Sequence, residues 1–268
     1  MRERSAPRSE AEGWQAAAGE LYGGGRTAAP LEWQLADEVP VALAYNGRSH
    51  AVLMATPADL ADLGLGFSLS EGIVAAAAEV RGLRVVAAGI GKGVAMTVPA
   101  ERAEALAGRR RAMEARSSCG ICGVETLEEL VRPTDPVRAS VAIPPAAIAA
   151  ALAALPDHQP LNRLCRSVHA AAWCGPDGAI ALAREDVGRH NALDKLIGAL
   201  AGAGTDFAAG FVAMSSRCSF ELVQKAAVVG IPLLATVSAP TTLALTVARR
   251  AGITLAAAAA DGAVALFR

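Results

Sequence analysis

Alternating helix and strand signals in the second half of the chain constrain its fold more than any other feature. Short apolar runs at residues 209–214, 233–237 and 253–257 are separated by helical stretches at 220–229 and 241–251. Strand, helix and strand in this order favour parallel pairing with right-handed crossovers, and the helices then cover the faces of the sheet. We therefore predict an α/β fold for this half, within a chain that is α+β overall.

Further elements are predicted on either side of this core. They are a helix after Pro144-Pro145 that ends near Pro156, strands at 168–174 and 179–183, a helix at 191–200, and a closing strand at 263–267.

The first half carries hairpin signals instead. Asn46-Gly47 stands between strand-like runs at 39–45 and 50–55, and this dipeptide is typical of a tight β-hairpin turn. A helix is predicted from Thr56 to Glu71, because Thr and Asp near its start can cap it. A second hairpin at 83–98 and a helix at 101–115 follow. The run Gly89 to Gly93 in that hairpin lacks the spacing of a phosphate-binding loop.

These patterns divide the chain into three segments. Residues 1–29 are polar and alanine-rich and end in a glycine run, so we predict a disordered arm. Residues 30–131 are predicted to form a smaller mixed lobe, and residues 132–268 the α/β lobe.

Bulk composition excludes two classes of partner. The formal net charge is -1, which argues against a protein that binds nucleic acid by neutralising phosphates. The uncharged stretch 226–248 is interrupted by Gly230-Ile231-Pro232 and Ser238-Ala239-Pro240, so we interpret it as ordinary elements and expect no membrane span. The charged start and an odd count of five cysteines favour a reducing cytoplasm without a signal peptide.

Two cysteines three residues apart, Cys119 and Cys122, lie on a glycine-containing loop after the basic run 109–111. Such a pair can supply half a metal site, exchange a disulfide, or transfer a sulfur atom. A zinc deaminase would require a glutamate two residues after its histidine. Here the residue two positions after His169 is Ala171. A thioredoxin-like site would follow a strand, whereas a helical pattern precedes this loop. The other three cysteines are predicted to be small buried side chains: Cys165, Cys174 and Cys218.

Polar residues follow three strands of the predicted sheet, at 184–191, 215–218 and 238–242. Ligands of such sheets bind beyond the carboxyl ends of the strands, and helix starts with arginines suit phosphate or pyrophosphate. The candidates are Arg189, His190, Arg217 and Ser238. An alternative for the first stretch is that Asp186 or Asn191 caps the helix that carries Lys195. The density of charged residues in 184–191 favours a binding site instead.

Two stretches together resemble the FdhD family, the formate dehydrogenase accessory sulfurtransferases: Ser117 to Gly123, and the run Arg184 to Leu196, which reads REDVGRHNALDKL. The agreement extends from about Asp37 to the C-terminus. It includes Gly66 to Ile73, Val168 to Ala172, Ser216 to Glu221, and Ser238 to Thr241.

The resemblance implies an activity. A cysteine desulfurase would load sulfane sulfur onto Cys119 as a persulfide, with Cys122 as an assisting thiol. The sulfur would pass to the bis-molybdopterin guanine dinucleotide form of the molybdenum cofactor, which formate dehydrogenase requires, and no metal ion would be held directly by the protein. The cofactor would be bound partly by Ala258, Ala259, Ala260, Asp261, Gly262 and Ala263.

The resemblance also implies a fold in which a cytidine-deaminase-like α/β lobe joins the smaller mixed lobe, commonly in a homodimer. The chain departs from the family at Cys165-Arg166-Ser167, where Thr-Gly-Gly is usual. Two other functions stay open at this point. One is a non-catalytic carrier or chaperone of the molybdenum cofactor, and the other is a CxxC thiol-disulfide reductase.

Overall fold

The structure is a computed structural model, and it describes residues 13–23, 26–114 and 135–268. Cys119 and Cys122 lie outside them, as does the first part of the predicted N-terminal arm.

Twelve strands are found in the described residues. They are β1 (Trp14–Gly23), β2 (Arg26–Ala36), β3 (Val39–Tyr45), β4 (Arg48–Ala55), β5 (Gly82–Ala88), β6 (Gly91–Thr97), β7 (His169–Cys174), β8 (Ile180–Asp186), β9 (Phe211–Met214), β10 (Leu233–Thr236), β11 (Thr254–Ala258) and β12 (Val264–Phe267).

Seven α-helices accompany the strands in the same part of the chain. They are α1 (Leu60–Ser70), α2 (Ala100–Glu114), α3 (Pro145–Ala154), α4 (Pro160–Cys165), α5 (Arg189–Gly202), α6 (Phe220–Val229) and α7 (Thr242–Ala251). Short 3₁₀ turns occur at Ala77–Glu79, Leu155–His158, Phe207–Ala209 and Ala260–Gly262.

A six-stranded mixed sheet forms the centre of the second half, in the order β12-β11-β10-β9-β7-β8. β9, β10 and β11 pair in parallel, as the alternating sequence pattern predicts. β7 pairs antiparallel with both β8 and β9, and β12 pairs antiparallel with β11. The α/β prediction is therefore confirmed, with antiparallel strands at both margins of a parallel centre.

The first half contains a four-stranded sheet in the order β4-β3-β6-β5. β3 and β4 form the hairpin predicted at Asn46-Gly47, where both residues adopt positive φ angles of 48° and 81°. β5 and β6 form the second predicted hairpin, and β3 pairs with β6 in parallel. The helix predicted from Thr56 to Glu71 is α1, which begins later, at Leu60, and ends at Ser70. The predicted cap is wrong, because Asp59 has a φ angle of 53° and its side chain makes no capping hydrogen bond.

Residues 14–36 correct the prediction of a disordered arm. β1 and β2 pair antiparallel from Trp14 opposite Ala36 to Gly23 opposite Arg26. The base of this ribbon is fixed by the amide of Asp37, which donates to the carbonyl of Gly13 at 2.7 Å. Backbone pairing can order such a segment although its alanine, glycine and glutamate side chains carry little strand signal.

The two halves share one hydrophobic core. Buried side chains of the first half, such as Leu43 and Leu63, belong to the same cluster as Leu193 and Leu222 of the second. Helices α1 and α5 cross at two glycines: a Cβ on Gly66 would lie 1.7 Å from the carbonyl oxygen of Asp194. Only glycine permits so close a contact, so this crossing fixes the two sheets relative to each other.

None of the helices in these described ranges combines the length and the apolar character that crossing a membrane requires. The uncharged stretch 226–248 is divided among the end of α6, strand β10 and the start of α7, as the sequence predicts.

Candidate functional site

One edge of the six-stranded sheet collects the predicted cofactor-binding residues. Because β7 runs antiparallel to both β8 and β9, β8 points the same way as β9, β10 and β11. The carboxyl ends of these four strands therefore meet at one edge, which we call the carboxyl edge. Arg189 and His190 follow β8, Arg217 follows β9, Ser238 follows β10, and Ala258–Ala263 follow β11. From β8 to β11 this edge spans about 19 Å, since neighbouring strands lie about 4.8 Å apart.

Ala258 is the last residue of β11, and residues 259–263 form the turn that leads to β12. The amide of Ala259 donates to the carbonyl of Ala263 at 2.8 Å, and Asp261 and Gly262 adopt positive φ angles of 55° and 73°. All six residues are exposed. Alanine and glycine side chains offer a ligand little to hold, so this turn can contribute mainly backbone N–H and carbonyl groups.

Arg189 begins α5, and it has an unusual environment. Its Nε atom is buried and has no hydrogen-bond partner among the described residues. A buried donor without an acceptor is unfavourable, and a guanidinium group binds planar or tetrahedral oxyanions strongly. The arrangement therefore suits an anionic oxygen at this position.

His190 lies beside Arg189 and contacts the start of α6. Its Nε2 atom is 3.1 Å from Oε2 of Glu221 and 3.5 Å from Oγ of Ser219. Burial is the largest cause that lowers the pKa of His190, and the positive charges of Arg189 and Lys225 lower it further, against the opposing effect of Glu221. The side chain is accordingly biased toward its neutral form near pH 7.

His169 belongs to the same edge, and the sequence reasoning did not select it. It is the first residue of β7 and pairs with Asp186, the last residue of β8. Burial lowers its pKa most, the charge of Arg189 lowers it further, and Asp186 opposes them. An antiparallel pairing of β7 with β8 would have predicted this position, because it places the start of β7 beside the carboxyl end of β8.

The charged stretch after β8 has largely a structural role. Asp186 and Lys195 are fully buried and form an ion pair at 2.7 Å. Asp186 also accepts hydrogen bonds from the amides of Thr56 and Gly188 and from Nδ2 of Asn191. Lys195 donates to the carbonyl of Thr56 at 3.0 Å. Since Thr56 belongs to the first half, this pair joins the two lobes.

Two neighbours of Asp186 are also used internally. The Glu185 carboxylate accepts from the amides of Leu161 and Asn162, both at 2.8 Å, at the start of α4. Arg184 pairs with Asp62 of α1 at 2.9 Å. The interpretation of the whole stretch as a binding site is therefore too broad, and Arg189 and His190 are the residues that remain for a ligand.

The loops after β9 and β10 are joined to each other. Cys218 and Pro240 form an isolated bridge, and the amide of Thr241 donates to the carbonyl of Cys218 at 3.1 Å. Oγ1 of Thr241 accepts from the amide of Ala244, so this residue is a helix cap. Arg217 is exposed between these contacts, where it can reach an anion at the edge.

Arg166 ends α4 shortly before β7, and its φ angle is 55°. This left-handed conformation favours glycine. The chain therefore places an exposed arginine side chain in a backbone conformation that suits glycine, within the segment where the resemblance implies Thr-Gly-Gly.

The three cysteines within the described residues are all buried, as predicted: Cys165, Cys174 and Cys218. Burial raises the pKa of Cys174 and of Cys218 to about 12. The Sγ atom of Cys165 lies 3.2 Å from the carbonyl of Leu161, to which its thiol donates. Thiolates are the reactive form, so neither Cys174 nor Cys218 is suited to accept sulfur near pH 7.

Two cavities lie at the opposite edge of the sheet. One of about 710 Å³ and one of about 550 Å³ share Thr205, Phe207 and Val229 in their linings. Thr205 and Phe207 precede β9, so these cavities are at the amino ends of the strands. Asp135, where the described chain resumes, lines the larger one.

Comparison with known proteins gives a consistent result. The model of the FdhD/NarQ family matches residues 36–268. A relative named sulfur carrier protein FdhD, from Chromobacterium violaceum, is 53% identical over 233 residues, covering 84% of this chain and 85% of the relative. A second protein of that name, from Cupriavidus necator, is 48% identical over 234 residues, with coverages of 87% and 81%.

The fold is similar to a crystal structure of a protein from Desulfotalea psychrophila that is described as a formate dehydrogenase accessory protein. The TM-score is 0.74 at 24% sequence identity, and the match covers 95% of this chain and 96% of that one. At this identity the likeness concerns the fold alone.

Proposed function

The chain belongs to the FdhD/NarQ family, and from that premise we propose that it is a sulfurtransferase that carries sulfane sulfur as a persulfide on Cys119. A cysteine desulfurase is the donor, and the acceptor is the bis-molybdopterin guanine dinucleotide cofactor destined for formate dehydrogenase. The name of the close relatives, sulfur carrier protein FdhD, supports the carrier role.

The loading step is a thiol exchange. The Cys119 thiolate attacks the outer sulfur of the desulfurase persulfide, the donor's sulfur–sulfur bond breaks, and the donor cysteine leaves as a thiolate. No external oxidant is needed, because one sulfur–sulfur bond replaces another. The basic run 109–111 would favour the Cys119 thiolate through its positive charge, and Cys122 would assist as a neighbouring thiol.

The buried cysteines support this assignment by elimination. Cys174 and Cys218 have raised pKa values of about 12 and Cys165 is buried. A desulfurase must reach the acceptor thiol, so these three are poor candidates for loading. Cys119 and Cys122 are the two remaining cysteines of the sequence.

The acceptor is a substrate rather than a resident cofactor, and the carboxyl edge is where we propose that it binds. The observation that supports this binding site is the buried Nε of Arg189, which has no hydrogen-bond partner among the described residues. It lies on the edge that also holds the turn 258–263, and an edge of about 19 Å is long enough for an extended dinucleotide. Arg189, Arg217 and the backbone of that turn would hold phosphate groups, with His190 beside them.

The cellular setting is proposed on the same basis. Persulfide transfer requires reduced thiols, so a cytoplasmic location fits the chemistry. The desulfurase and formate dehydrogenase would be successive partners, and a homodimer is the proposed assembly.

Loading can be tested by intact mass spectrometry after incubation with a cysteine desulfurase and cysteine. We expect the wild-type protein to gain the mass of one sulfur atom, in a form that a reducing agent removes. Cys119→Ala should gain none, while Cys165→Ala, a matched control at a buried cysteine, should load as the wild type does.

Two results would contradict the proposal. Undiminished loading of Cys119→Ala would exclude Cys119 as the carrier. If formate dehydrogenase maturation survived replacement of both Cys119 and Cys122, a non-catalytic carrier or chaperone of the cofactor would be favoured. A Cys119–Cys122 disulfide that turns over with a reductant would instead indicate a thiol-disulfide reductase.

A further inference from the structure

Arg189, His190 and His169 lie at one corner of the carboxyl edge, where β8 ends and α5 begins. We propose that this corner binds a divalent oxyanion at Arg189 and that His169 and His190 take up protons when the anion binds. The inference rests on the proposed function, because the same edge would receive the phosphate groups of the acceptor.

The geometry brings the three residues together from two elements. Arg189 and His190 are consecutive at the start of α5. His169 begins β7 opposite Asp186, and Asp186 is only three residues before Arg189. The charge of Arg189 acts on both imidazoles, and the buried Nε of Arg189 has no partner among the described residues. Each histidine is therefore partly buried and feels the charge of an arginine whose Nε has no acceptor in the described part of the chain.

The charged groups around each histidine determine the direction of the effect. His169 faces Arg189 from α5 and Asp186 from β8. Asp186, which is paired with Lys195 at 2.7 Å, raises the pKa of His169. The pKa of His169 is lowered by burial first and by Arg189 second.

His190 faces a different set of groups. Arg189 precedes it on α5, while Glu221 and Lys225 face it from α6. Burial first and Arg189 second lower its pKa, Lys225 lowers it further, and Glu221 raises it. Its hydroxyl neighbour, Ser219, lies 3.5 Å away and does not titrate.

A bound dianion would offset the positive charge of Arg189. Since that charge disfavours both imidazolium ions, its neutralisation raises both pKa values toward the ordinary value for histidine, and protons are taken up when the anion binds. By linkage the affinity for the anion must then rise as the pH falls. One histidine whose pKa rises by one unit gives about a tenfold gain in affinity across its titration range.

Sulfate is the appropriate probe. It shares the tetrahedral, divalent character of a phosphate group, but it does not titrate between pH 6 and 8, so any pH dependence belongs to the protein. Isothermal titration calorimetry of Cys119→Ala with sodium sulfate, at constant ionic strength, keeps sulfur chemistry out of the measurement.

We expect sulfate to bind about tenfold more tightly at pH 6 than at pH 8. At pH 6.5 the heat of binding should differ between two buffers of different ionisation enthalpy, and the difference should correspond to net proton uptake. This comparison needs no substitution at the site, so it is independent of any effect of a variant on folding.

Variants locate the effect. His169→Gln and His190→Gln should each flatten the pH dependence, and Arg189→Met should abolish binding. His158→Gln, a control at an exposed histidine in the turn after α3, should behave as the parent does.

Equal affinities at pH 6 and 8 with no proton uptake would overturn the proposed linkage, as would a full pH dependence in the His169→Gln/His190→Gln double variant. Absence of sulfate binding would overturn the anion site itself. None of these results would alter persulfide loading at Cys119, which mass spectrometry measures separately.

Discussion

At the scale of single residues, the buried pair of Asp186 and Lys195 shows how the chain uses its most charged stretch. Both side chains are inaccessible to solvent, and together they hold the backbone of Thr56 at two points: Asp186 accepts from its amide and Lys195 donates to its carbonyl. Burying two charges is costly unless each is paired and hydrogen-bonded. Here both conditions are met, so the pair specifies how the two lobes join.

Lys195→Met should therefore be strongly destabilising. It would leave the Asp186 carboxylate buried without its cation, and we expect the free energy of unfolding to fall by about 3–5 kcal/mol, measured by urea denaturation. Arg250→Met, at an exposed position of α7, is the control and should change stability little. A Lys195→Met protein as stable as the wild type would show that the pair is dispensable.

At the scale of elements, the crossing of α1 and α5 sets the distance between the two sheets. Gly66 and Gly198 lie against the backbone of the opposite helix, and a Cβ on Gly198 would be 1.9 Å from the carbonyl oxygen of Asp62. No side chain can relieve that overlap, because the atom it meets is backbone. The helices would have to separate, and the buried residues between them would lose contact.

Gly198→Ala should destabilise the protein by about 3 kcal/mol, at the upper end of the range for an overpacked core. Gly202→Ala on the same helix is the matched control, since its nearest contact would be Cδ2 of Leu65 at 3.9 Å. We expect it to be neutral or slightly stabilising, because alanine favours helix more than glycine does. Thermal unfolding of both variants tests this, and equal midpoints would contradict the role of the crossing.

The elements also show what the sequence could predict. Strands with alternating or continuous apolar residues and turns such as Asn46-Gly47 were predicted close to their observed bounds, because local chemistry determines them. The ribbon of β1 and β2 was not predicted, since alanine and glycine, which carry little strand signal, separate its few aromatic residues. Helix α4 was also missed: it has six residues, and its first amides are held by Glu185, 23 and 24 residues further along the chain.

The candidate site was predicted in part for the same reason. Residues that follow strands could be placed at one edge from the order of elements alone. The sequence could not show that Arg189 and His190 are available for a ligand while Asp186 and Lys195 are not. Asp186 and Lys195 bind the backbone of Thr56, which lies 130 and 139 residues away along the chain. His169 was missed because its position depends on an antiparallel register that composition does not reveal.

At the scale of the whole molecule, we propose that one protein combines sulfur loading with binding of the acceptor cofactor. A hydrophobic core common to both halves holds the six-stranded sheet rigidly against the smaller sheet. Within residues 13–23, 26–114 and 135–268, the carboxyl edge offers an arginine with an unpartnered buried nitrogen, two histidines and an exposed turn, while the cysteines are buried. Sulfur loading on Cys119 and delivery at the carboxyl edge should then be separable steps.

A single-turnover chase tests this central claim most directly. Protein loaded with labelled sulfur is mixed with the molybdenum cofactor, and the label that remains on the protein is followed in time for the wild type and for Arg189→Met. We predict equal loading of both proteins and release of label from the wild type at least tenfold faster than from the variant. Equal release rates for the two proteins would contradict the account, as would labelled sulfur that is loaded equally well onto Cys119→Ala.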